Sequence, residues 1–349
     1  MPASIAIPIG RRPSVDCFAD KENVSRWFEH DASGRLKVRE HGHAPAPFGL
    51  PFIAAGVFAG LVGLGAVTLA NADEIPAAVQ PILLLMGIVF GAVGASVAFG
   101  RQWTTIDTGE RVIAVEAWAV IRLRAQVHRL DDHEVVVLGF EEGDSDGADQ
   151  FPVSLRSRDW RSVRLCGPTT YAEARGCAIA IAQHTRLPLE DLTTEHPLRV
   201  SAEEAALPLI SRAILDHEPA VDPPLNARAE IVEENDGLRI VVPTNGWLKS
   251  RRGWTAVEVS PAGVHVDERG VWRTKRKASF TASEIVDVDF GMQESMDRFA
   301  KGRGITIKAT TGLEAFGAGL ADDEIRYLHA LIRRTLQKGV VRATRQPRM

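Results

Sequence analysis

Two apolar segments stand out in the hydrophobic pattern of this chain. Leu50–Ala70 and Val79–Phe99 are each 21 residues long, and neither contains an Asp, Glu, Lys or Arg. Because an α-helix rises 1.5 Å per residue, each segment would span roughly 30 Å, the thickness of the hydrocarbon core of a bilayer. Asn71–Ala78, between them, contains turn-forming residues. The pattern predicts a transmembrane hairpin and disfavours a pair of buried helices in a soluble protein.

Basic residues flank this hairpin and are missing from its loop, whose charged residues are Asp73 and Glu74. The flanking cations are Arg35, Lys37, Arg39, Arg101, Arg111, Arg122 and Arg124. Because Lys and Arg favour the cytoplasmic side of a membrane, the loop should lie outside and both termini should lie in the cytoplasm.

Glycines recur at helical spacing within both apolar segments. Gly56 with Gly60, and Gly87 with Gly91, form small-xxx-small pairs that let helix backbones approach closely. The contact could lie within the hairpin or between protomers, and we expect a larger residue at Gly60 or Gly91 to disrupt it. Neither segment carries an ionisable residue, so no path for ion transport is visible.

Short alternating segments follow the hairpin and end in a helix. The predicted strands are Trp103–Asp107, Arg111–Glu116, Val120–Arg124, Glu134–Phe140, Val153–Arg156 and Ser162–Cys166. Thr170 with Glu173 opens the helix, whose apolar face is Ala174, Ala178, Ile181 and Ala182.

The same order of elements returns at an offset of about 150 residues, which predicts an internal duplication. Its strands are Gly237–Pro243, Thr255–Val259, Gly263–Asp267, Val271–Lys275, Glu284–Phe290 and Gly304–Ala309. The closing helix should run from about Asp323 to Lys338 and stop at Gly339. Trp103-Thr104 matches Trp254-Thr255, and Glu134-Val135-Val136 matches Glu284-Ile285-Val286.

The chain resembles the bacterial pleckstrin-homology-like (bPH) membrane proteins. The residues that carry the resemblance are the hairpin Leu50–Phe99, Trp103–Asp107, Leu130–Val136, Phe280–Val286, Gly291-Met292-Gln293 and the helix Asp323–Gln337. The second half departs from the family pattern because no hairpin separates Arg239–Val242 from Trp254. The resemblance implies a multi-pass protein of the bacterial inner membrane, an interaction module with no catalytic residues to transfer.

The expected fold is a membrane α-helical hairpin plus two α+β domains, each an antiparallel β-barrel or sandwich closed by a C-terminal helix. The chain divides into an N-terminal cytoplasmic segment 1–34, a strand leading to the membrane 35–49, the transmembrane hairpin 50–100, a first β domain 101–189, a helical and Pro-rich linker 190–226, a second β domain 227–340 and a basic tail 341–349. In the linker, Ser201 with Glu204 predicts a helix to about Asp216, interrupted by Pro208.

The charge and composition of the chain limit which classes of molecule it could bind. A net charge of −4 over 349 residues excludes a globally basic nucleic-acid binder. Where the second half lacks a hairpin, it carries two tryptophans and three cations that suit a membrane surface: Trp247, Lys249, Arg251, Arg252 and Trp254. The alternative is a solvated loop whose tryptophans pack on their own domain.

A second basic run could hold a phosphate or an acidic partner, or simply be a solvated strand face. It comprises Arg273, Lys275, Arg276 and Lys277.

Metal, redox and catalytic signals are weak. Three cysteines, Cys17, Cys166 and Cys177, give neither a disulfide framework nor a zinc site. His41 and His43 lack a third ligand, and Asp144, Asp146 and Asp149 suit an acidic turn better than a calcium loop. No Ser-His-Asp order, phosphate loop, GxGxxG or HExxH occurs. We therefore expect no cofactor and no enzyme activity.

The composition and architecture favour a scaffold or regulatory protein that contacts the lipid bilayer and binds a membrane protein or a second copy of itself. The alternative is an accessory or assembly subunit of a larger membrane complex.

Overall fold

The computed structural model describes residues 26–31, 33–39, 46–66, 79–99, 101–118, 122–143, 148–212, 221–234, 236–243, 253–269, 274–293 and 302–345. Over these residues the protein has four β-sheets and four α-helices. The helices are α1 Ala46–Gly63, α2 Val79–Phe99, α3 Tyr171–Thr185 and α4 Asp322–Arg345.

The first half contains a five-stranded antiparallel meander followed by a second sheet. The meander is β1 Phe28–His30, β2 Leu36–Arg39, β3 Arg101–Asp107, β4 Val112–Trp118 and β5 Arg122–Arg129. β1 lies within the segment assigned to the N-terminus, and Trp27 beside it is buried in the core. Although α1 and α2 separate β2 from β3, the two strands pair directly, from Leu36 opposite Ile106 to Arg39 opposite Trp103. The helical hairpin thus replaces the turn of an ordinary β-hairpin.

The second sheet of the first half is completed by strands that follow α3. Its strands are β6 His133–Leu138, β7 Val153–Ser157, β8 Ser162–Cys166, β9 Leu189–Asp191 and β10 Leu198–Val200, in the order β10-β9-β6-β7-β8. The Thr170 hydroxyl accepts a hydrogen bond from the Glu173 N–H at the start of α3. The apolar face predicted for this helix is fully buried against the sheets.

The second half repeats this order of elements. Its strands are β11 Glu230–Glu234, β12 Gly237–Pro243, β13 Trp254–Ser260, β14 Gly263–Arg269, β15 Thr274–Thr281, β16 Ile285–Gln293, β17 Gly302–Ala309 and β18 Gly312–Phe316. β11 to β15 form one meander and β16 to β18 another, and α4 then packs on the core. The Glu324 carboxylate in α4 accepts the N–H groups of Arg228 and Ala229 at 2.7 and 2.6 Å, which ties the last helix to the first strand of its half.

Several expectations from the sequence need correction. The described strands do not close into a barrel, because β6 and β16 each begin a new sheet after a tight turn. The predicted linker helix is reduced to the 3-10 turns Glu204–Ala206 and Leu209–Ser211, because Pro208 is extended. Helix α4 continues through Gly339, whose cost of about 1 kcal/mol is too small to end a well-packed helix.

The first apolar segment forms a shorter helix than its composition predicts. Gly65 is left-handed (φ 74°), and the Ala66 and Gly65 N–H groups bond to the Leu61 and Val62 carbonyls, a Schellman motif that ends α1. Among the described helices, one, at Val79–Ala98, is long and apolar enough to cross a membrane, whereas the apolar part of α1 covers only Gly49–Gly63.

Glycines set the separation of α1 and α2. A Cβ atom added to Gly87 would lie 2.6 Å from the Gly60 nitrogen, and one added to Gly56 would lie 2.8 Å from the Gly87 carbonyl oxygen. A Cβ atom added to Gly60 or Gly91 would meet nothing within 4 Å. All four residues lie at the crossing, but only Gly56 and Gly87 direct their missing side chains into it.

We therefore predict opposite effects for two pairs of substitutions. Gly56→Ala and Gly87→Ala should lower the melting temperature of the detergent-solubilised protein, because the added methyl group forces the helices apart. Gly60→Ala and Gly91→Ala should leave it unchanged or raise it, because Ala favours a helix by up to about 1 kcal/mol over Gly. Equal losses in all four variants would contradict this assignment of the contact.

Candidate functional site

The outer surface of the α1–α2 hairpin is apolar and exposed. Its exposed large side chains are Leu50, Phe52, Val57, Phe58, Leu61, Leu64, Ile82, Leu85, Met86, Ile88, Val89, Val93 and Val97. Within Val79–Ala98, only 17% of an apolar stretch of 18 residues is buried inside the protein. Since soluble monomers rarely expose an apolar patch larger than a few hundred Å2, this surface requires an apolar environment.

Strand register separates the arginines of the first sheet into two groups. Arg39 lies opposite Trp103, and Arg101 lies opposite Trp118, which in turn lies opposite Arg122. These positions form the end of the sheet from which the helical hairpin leaves. The backbone positions of these arginines and tryptophans are therefore at the end of the sheet nearest to the apolar helices.

The opposite end of the same sheet holds two cations that sequence spacing had grouped with the hairpin. Arg35 pairs with Asp107 at 2.7 Å, and Arg111 pairs with Asp131 at 2.5 Å. β3 runs between the two ends, and its seven residues span roughly 20 Å. Arg35 and Arg111 are therefore distant from the hairpin, although they are near it in sequence.

The second half has a corresponding sheet end, where the connecting segment 244–252 has nine residues, too few for a helical hairpin of membrane-spanning length. Pro243, Trp254, Arg269 and Thr274 lie opposite one another in a single row across four strands. The segments 244–252 and 270–273 both leave from this row. The two basic surfaces predicted separately from the sequence therefore start at one end of one sheet, and we call this the Trp254 end.

The structure describes some residues of these two predicted basic surfaces and not others. Trp247, Lys249, Arg251, Arg252 and Arg273 lie outside the described residues. Trp254 is 37% exposed. Lys275 and Arg276 lie on β15 opposite Glu268 and Asp267, and the Lys277 ammonium pairs with Glu314 at 3.1 Å. Acidic residues therefore lie at the cross-strand positions of two residues of the predicted anionic-partner face.

A buried carboxylate joins the two halves. Asp191 is inaccessible to solvent and accepts hydrogen bonds from the Tyr171 hydroxyl (2.8 Å), the Thr193 N–H and hydroxyl (3.0 and 2.5 Å) and the Lys308 ammonium (3.2 Å). The Arg175 guanidinium lies 3.7 Å away. Burial opposes ionisation, but Lys308 and Arg175 outweigh it, so the pKa of Asp191 is lowered.

Further polar contacts extend this junction along the inner face of β16. Asp289 accepts hydrogen bonds from the Thr194 hydroxyl (2.6 Å) and the His196 N–H (3.1 Å). Asp287 lies 3.9 Å from Arg333, and burial raises the pKa of Asp287 despite this cation and Lys308. Ile305 and Ile307 on β17 point into the core of the second half. The β16–β18 sheet therefore has an apolar face toward that core and a polar face that carries Asp287 and Asp289.

One exposed feature was missed by the sequence reasoning. Trp160, in the turn between β7 and β8, is 77% exposed and has a left-handed backbone (φ 65°). The Arg156 guanidinium lies 4.7 Å from the centre of its ring. The only sequence signal was an Arg-Asp-Trp-Arg run between two predicted strands.

The remaining candidate residues have ordinary surroundings. Within the described part of the chain, no group of three or more His, Cys, Asp or Glu residues could hold a metal ion. Asp149 accepts a hydrogen bond from the Gly143 N–H, whereas Asp144, Asp146, His41, His43 and Cys17 lie outside the described residues. Cys166 and Cys177 are buried free thiols. The pKa of Cys177 is raised, first by its contact with the Cys166 side chain and second by burial.

Comparison with protein-family models, with curated proteins and with solved structures finds no match to this chain.

The Asp191 junction generates a stability prediction. Asp191→Asn should lower the free energy of unfolding by about 3 kcal/mol, because it leaves Lys308 and Arg175 buried without their counter-charge. Asp131→Asn is the control, because it removes an exposed partner of Arg111 and should have little effect. Chemical denaturation of the detergent-solubilised protein measures both.

Acid titration provides a second readout of the same variant. Since its folded pKa is lowered, the contribution of Asp191 is complete above about pH 4 and is lost as the pH falls below that value. The stability difference between wild type and Asp191→Asn should therefore shrink in acid. A difference that is small at neutral pH would remove Asp191 from this role.

Proposed function

We propose that this protein is a non-enzymatic, membrane-anchored scaffold or regulatory protein of the bacterial inner membrane. In this proposal the α1–α2 hairpin crosses the bilayer, and two tandem pleckstrin-homology-like domains present surfaces to a protein partner or to lipid headgroups at the cytoplasmic face. The observation that carries the proposal is the exposed apolar surface of the hairpin, joined through β2 and β3 to a folded sheet.

Two crossings are favoured over one by the connection to the sheet. Because β2 and β3 are paired neighbours, the chain must leave the sheet and return to it on the same side of the membrane. The apolar part of α1, Gly49–Gly63, rises roughly 22 Å, and the charge-free sequence that would complete a crossing continues to Ala70. Asn71–Ala78 lacks Lys and Arg, which favours an outside loop and cytoplasmic domains.

The repeated order of elements supports descent of both halves from one hairpin-bearing unit. In that case segment 244–252 occupies the place of the helices, and the Trp254 end is a membrane-surface contact. Lys249, Arg251 and Arg252 would each add about 1 kcal/mol of attraction to anionic headgroups before salt screening. Trp247 and Trp254 would place their indole rings at the headgroup boundary.

A second candidate is an accessory or assembly subunit of a larger membrane complex. The observation that favours it is the open space over Gly60 and Gly91, where another membrane helix could approach the hairpin backbone. Constant co-purification with a large assembly in mild detergent would favour this role over the scaffold.

Topology tests the proposal directly. In a variant with Cys17→Ser, a cysteine at Ala72 should react with an impermeant thiol reagent in intact cells. A cysteine at the exposed Asp131 should react only after the cells are opened. Cys166 and Cys177 are buried and should remain silent in both. Labelling of Asp131→Cys in intact cells would overturn the orientation, and extraction of the protein by alkaline carbonate would overturn the membrane anchor.

The Trp254 end is tested with the full chain in nanodiscs. An environment-sensitive fluorophore on Leu248→Cys, with the other cysteines replaced, should shift to shorter wavelength in anionic discs and shift back as salt rises. The same label in a Lys249→Gln, Arg251→Gln, Arg252→Gln background is the control and should not distinguish anionic from zwitterionic discs. Identical spectra of the parent label in both lipids would contradict the contact.

A further inference from the structure

The turn between β7 and β8 holds a tryptophan in a conformation and an environment that both disfavour it. A left-handed backbone brings the Cβ atom of a bulky residue close to the following carbonyl oxygen, so Trp160 is strained. Its indole is 77% exposed and contacts Arg156, which also pairs with Glu190. Strained residues cluster at functional sites, so the strain at Trp160 motivates a search for a role beyond folding. Arg111 and Arg186 also have a positive φ, but Trp160 combines it with an exposed aromatic side chain.

The second half of the protein shows that the fold does not need this turn. β7 and β8 are joined by four residues, Arg158–Arg161, whereas the corresponding β17 and β18 are joined by two, Thr310 and Thr311. The same pair of strands is therefore closed in one half by a short polar turn and in the other by a longer turn with an exposed aromatic tip.

This tip lies at the end of the first half that is remote from the hairpin. Ser157, at the end of β7, lies opposite His133 at the start of β6. Just before His133, the Leu130 N–H donates a hydrogen bond to the Arg111 carbonyl, in the turn that joins β3 to β4 at the end of the sheet away from the hairpin. The hairpin leaves from the other end of β3. A bilayer that holds the hairpin is therefore not the surface that Trp160 meets.

The tip carries two exposed guanidinium groups, each beside a carboxylate, so its chemistry is that of exchangeable ion pairs and not of a uniformly cationic surface. The side chains of Arg158 and Arg161 are each 87% exposed, and their pairs with Glu134 (3.8 Å) and Asp159 (3.0 Å) are solvated. Solvated pairs of this kind contribute little energy and exchange readily for other carboxylates. Tryptophan and arginine are also the residues most enriched in binding hot spots.

We infer that the β7–β8 turn is a docking point for a cytoplasmic protein that has an apolar recess for the Trp160 indole and carboxylates around it for Arg158 and Arg161. This inference rests on the proposed scaffold function and names the surface through which the first domain contacts its protein partner.

Backbone strain provides the first test. Trp160→Gly should raise the melting temperature of the detergent-solubilised protein by roughly 2–4 °C, because glycine tolerates a positive φ. Trp160→Ala keeps the strain and loses the Arg156 contact, so it should not be stabilised. Melting temperatures of both variants well below that of the wild type would make Trp160 a structural residue and overturn the inference.

Photocrosslinking in intact cells provides the second test. Trp160→p-benzoylphenylalanine should give a crosslinked product with a different protein, whereas Thr311→p-benzoylphenylalanine in the corresponding turn should not. Arg158→Glu with Arg161→Glu should reduce the yield at least tenfold, and high salt in washed membranes should reduce it likewise. Support requires this charge dependence together with the thermal result, because a captured protein alone could be a passing neighbour.

The other outcomes overturn the inference. A crosslink to a second copy of the chain would make the turn a self-association surface, a lipid crosslink would place it at the membrane, and a nuclease-sensitive complex would make its partner a nucleic acid. No crosslink would remove the docking role. Cysteine labelling reports on the membrane anchor independently, so failure of the scaffold topology and failure of this docking point are distinguishable.

Discussion

Burial of the Asp191 carboxylate is the constraint that makes the two halves one structure. A charge removed from water must be matched by donors and cations, and here these come from α3, from the turn after β9 and from β17 of the other half. Without Asp191 the buried cations Lys308 and Arg175 would lack a counter-charge, and without the cations Asp191 would lack one. The charge pairing therefore specifies how the two halves meet more narrowly than apolar contact alone would. The polar inner face of β16, with Asp287 and Asp289, continues the same arrangement.

The helical hairpin imposes a second constraint because it is inserted in the turn between paired strands. Its two ends must emerge side by side from one end of one sheet, and the proposed function assigns that end to the bilayer. β3 then places Arg101 beside the hairpin and Asp107 at the far end, where Asp107 pairs with Arg35. A residue that is close to the hairpin in sequence can therefore lie far from it in space, as Arg35 does.

The first domain consequently has two unlike ends, and the proposed function assigns one to the bilayer and the other to a protein. The second domain repeats the meander and the sheet that follows it. It has nine residues, 244–252, where the first domain has the hairpin, and it joins β17 to β18 without a tryptophan. Duplication followed by loss of the hairpin would leave a second domain tied to the first through Asp191 and Lys308. Such an arrangement suits a scaffold, because it holds several surfaces at a fixed distance from the membrane.

The sequence by itself determined the features that depend on local periodicity. Charge-free runs predicted the apolar helices, the repeated order of strands anticipated the second half, and the buried stripes of α3 and α4 followed from helical spacing. It ended β5 and β15 five and six residues too early, because alternation alone does not identify where a strand ends. The missed strands β1, β9, β10, β11 and β18 have three to five residues each, too few for an alternating pattern to stand out.

Only the tertiary structure decided which distant residues meet. Asp191 and Lys308 lie far apart in the chain, and no local pattern distinguishes a lysine that will be buried from one that will be solvated. The strain at Trp160 and the different roles of Gly56 and Gly60 likewise depend on backbone angles and helix crossing. Local spacing specifies which face of an element is apolar, whereas strand register and packing between elements specify what that face contacts.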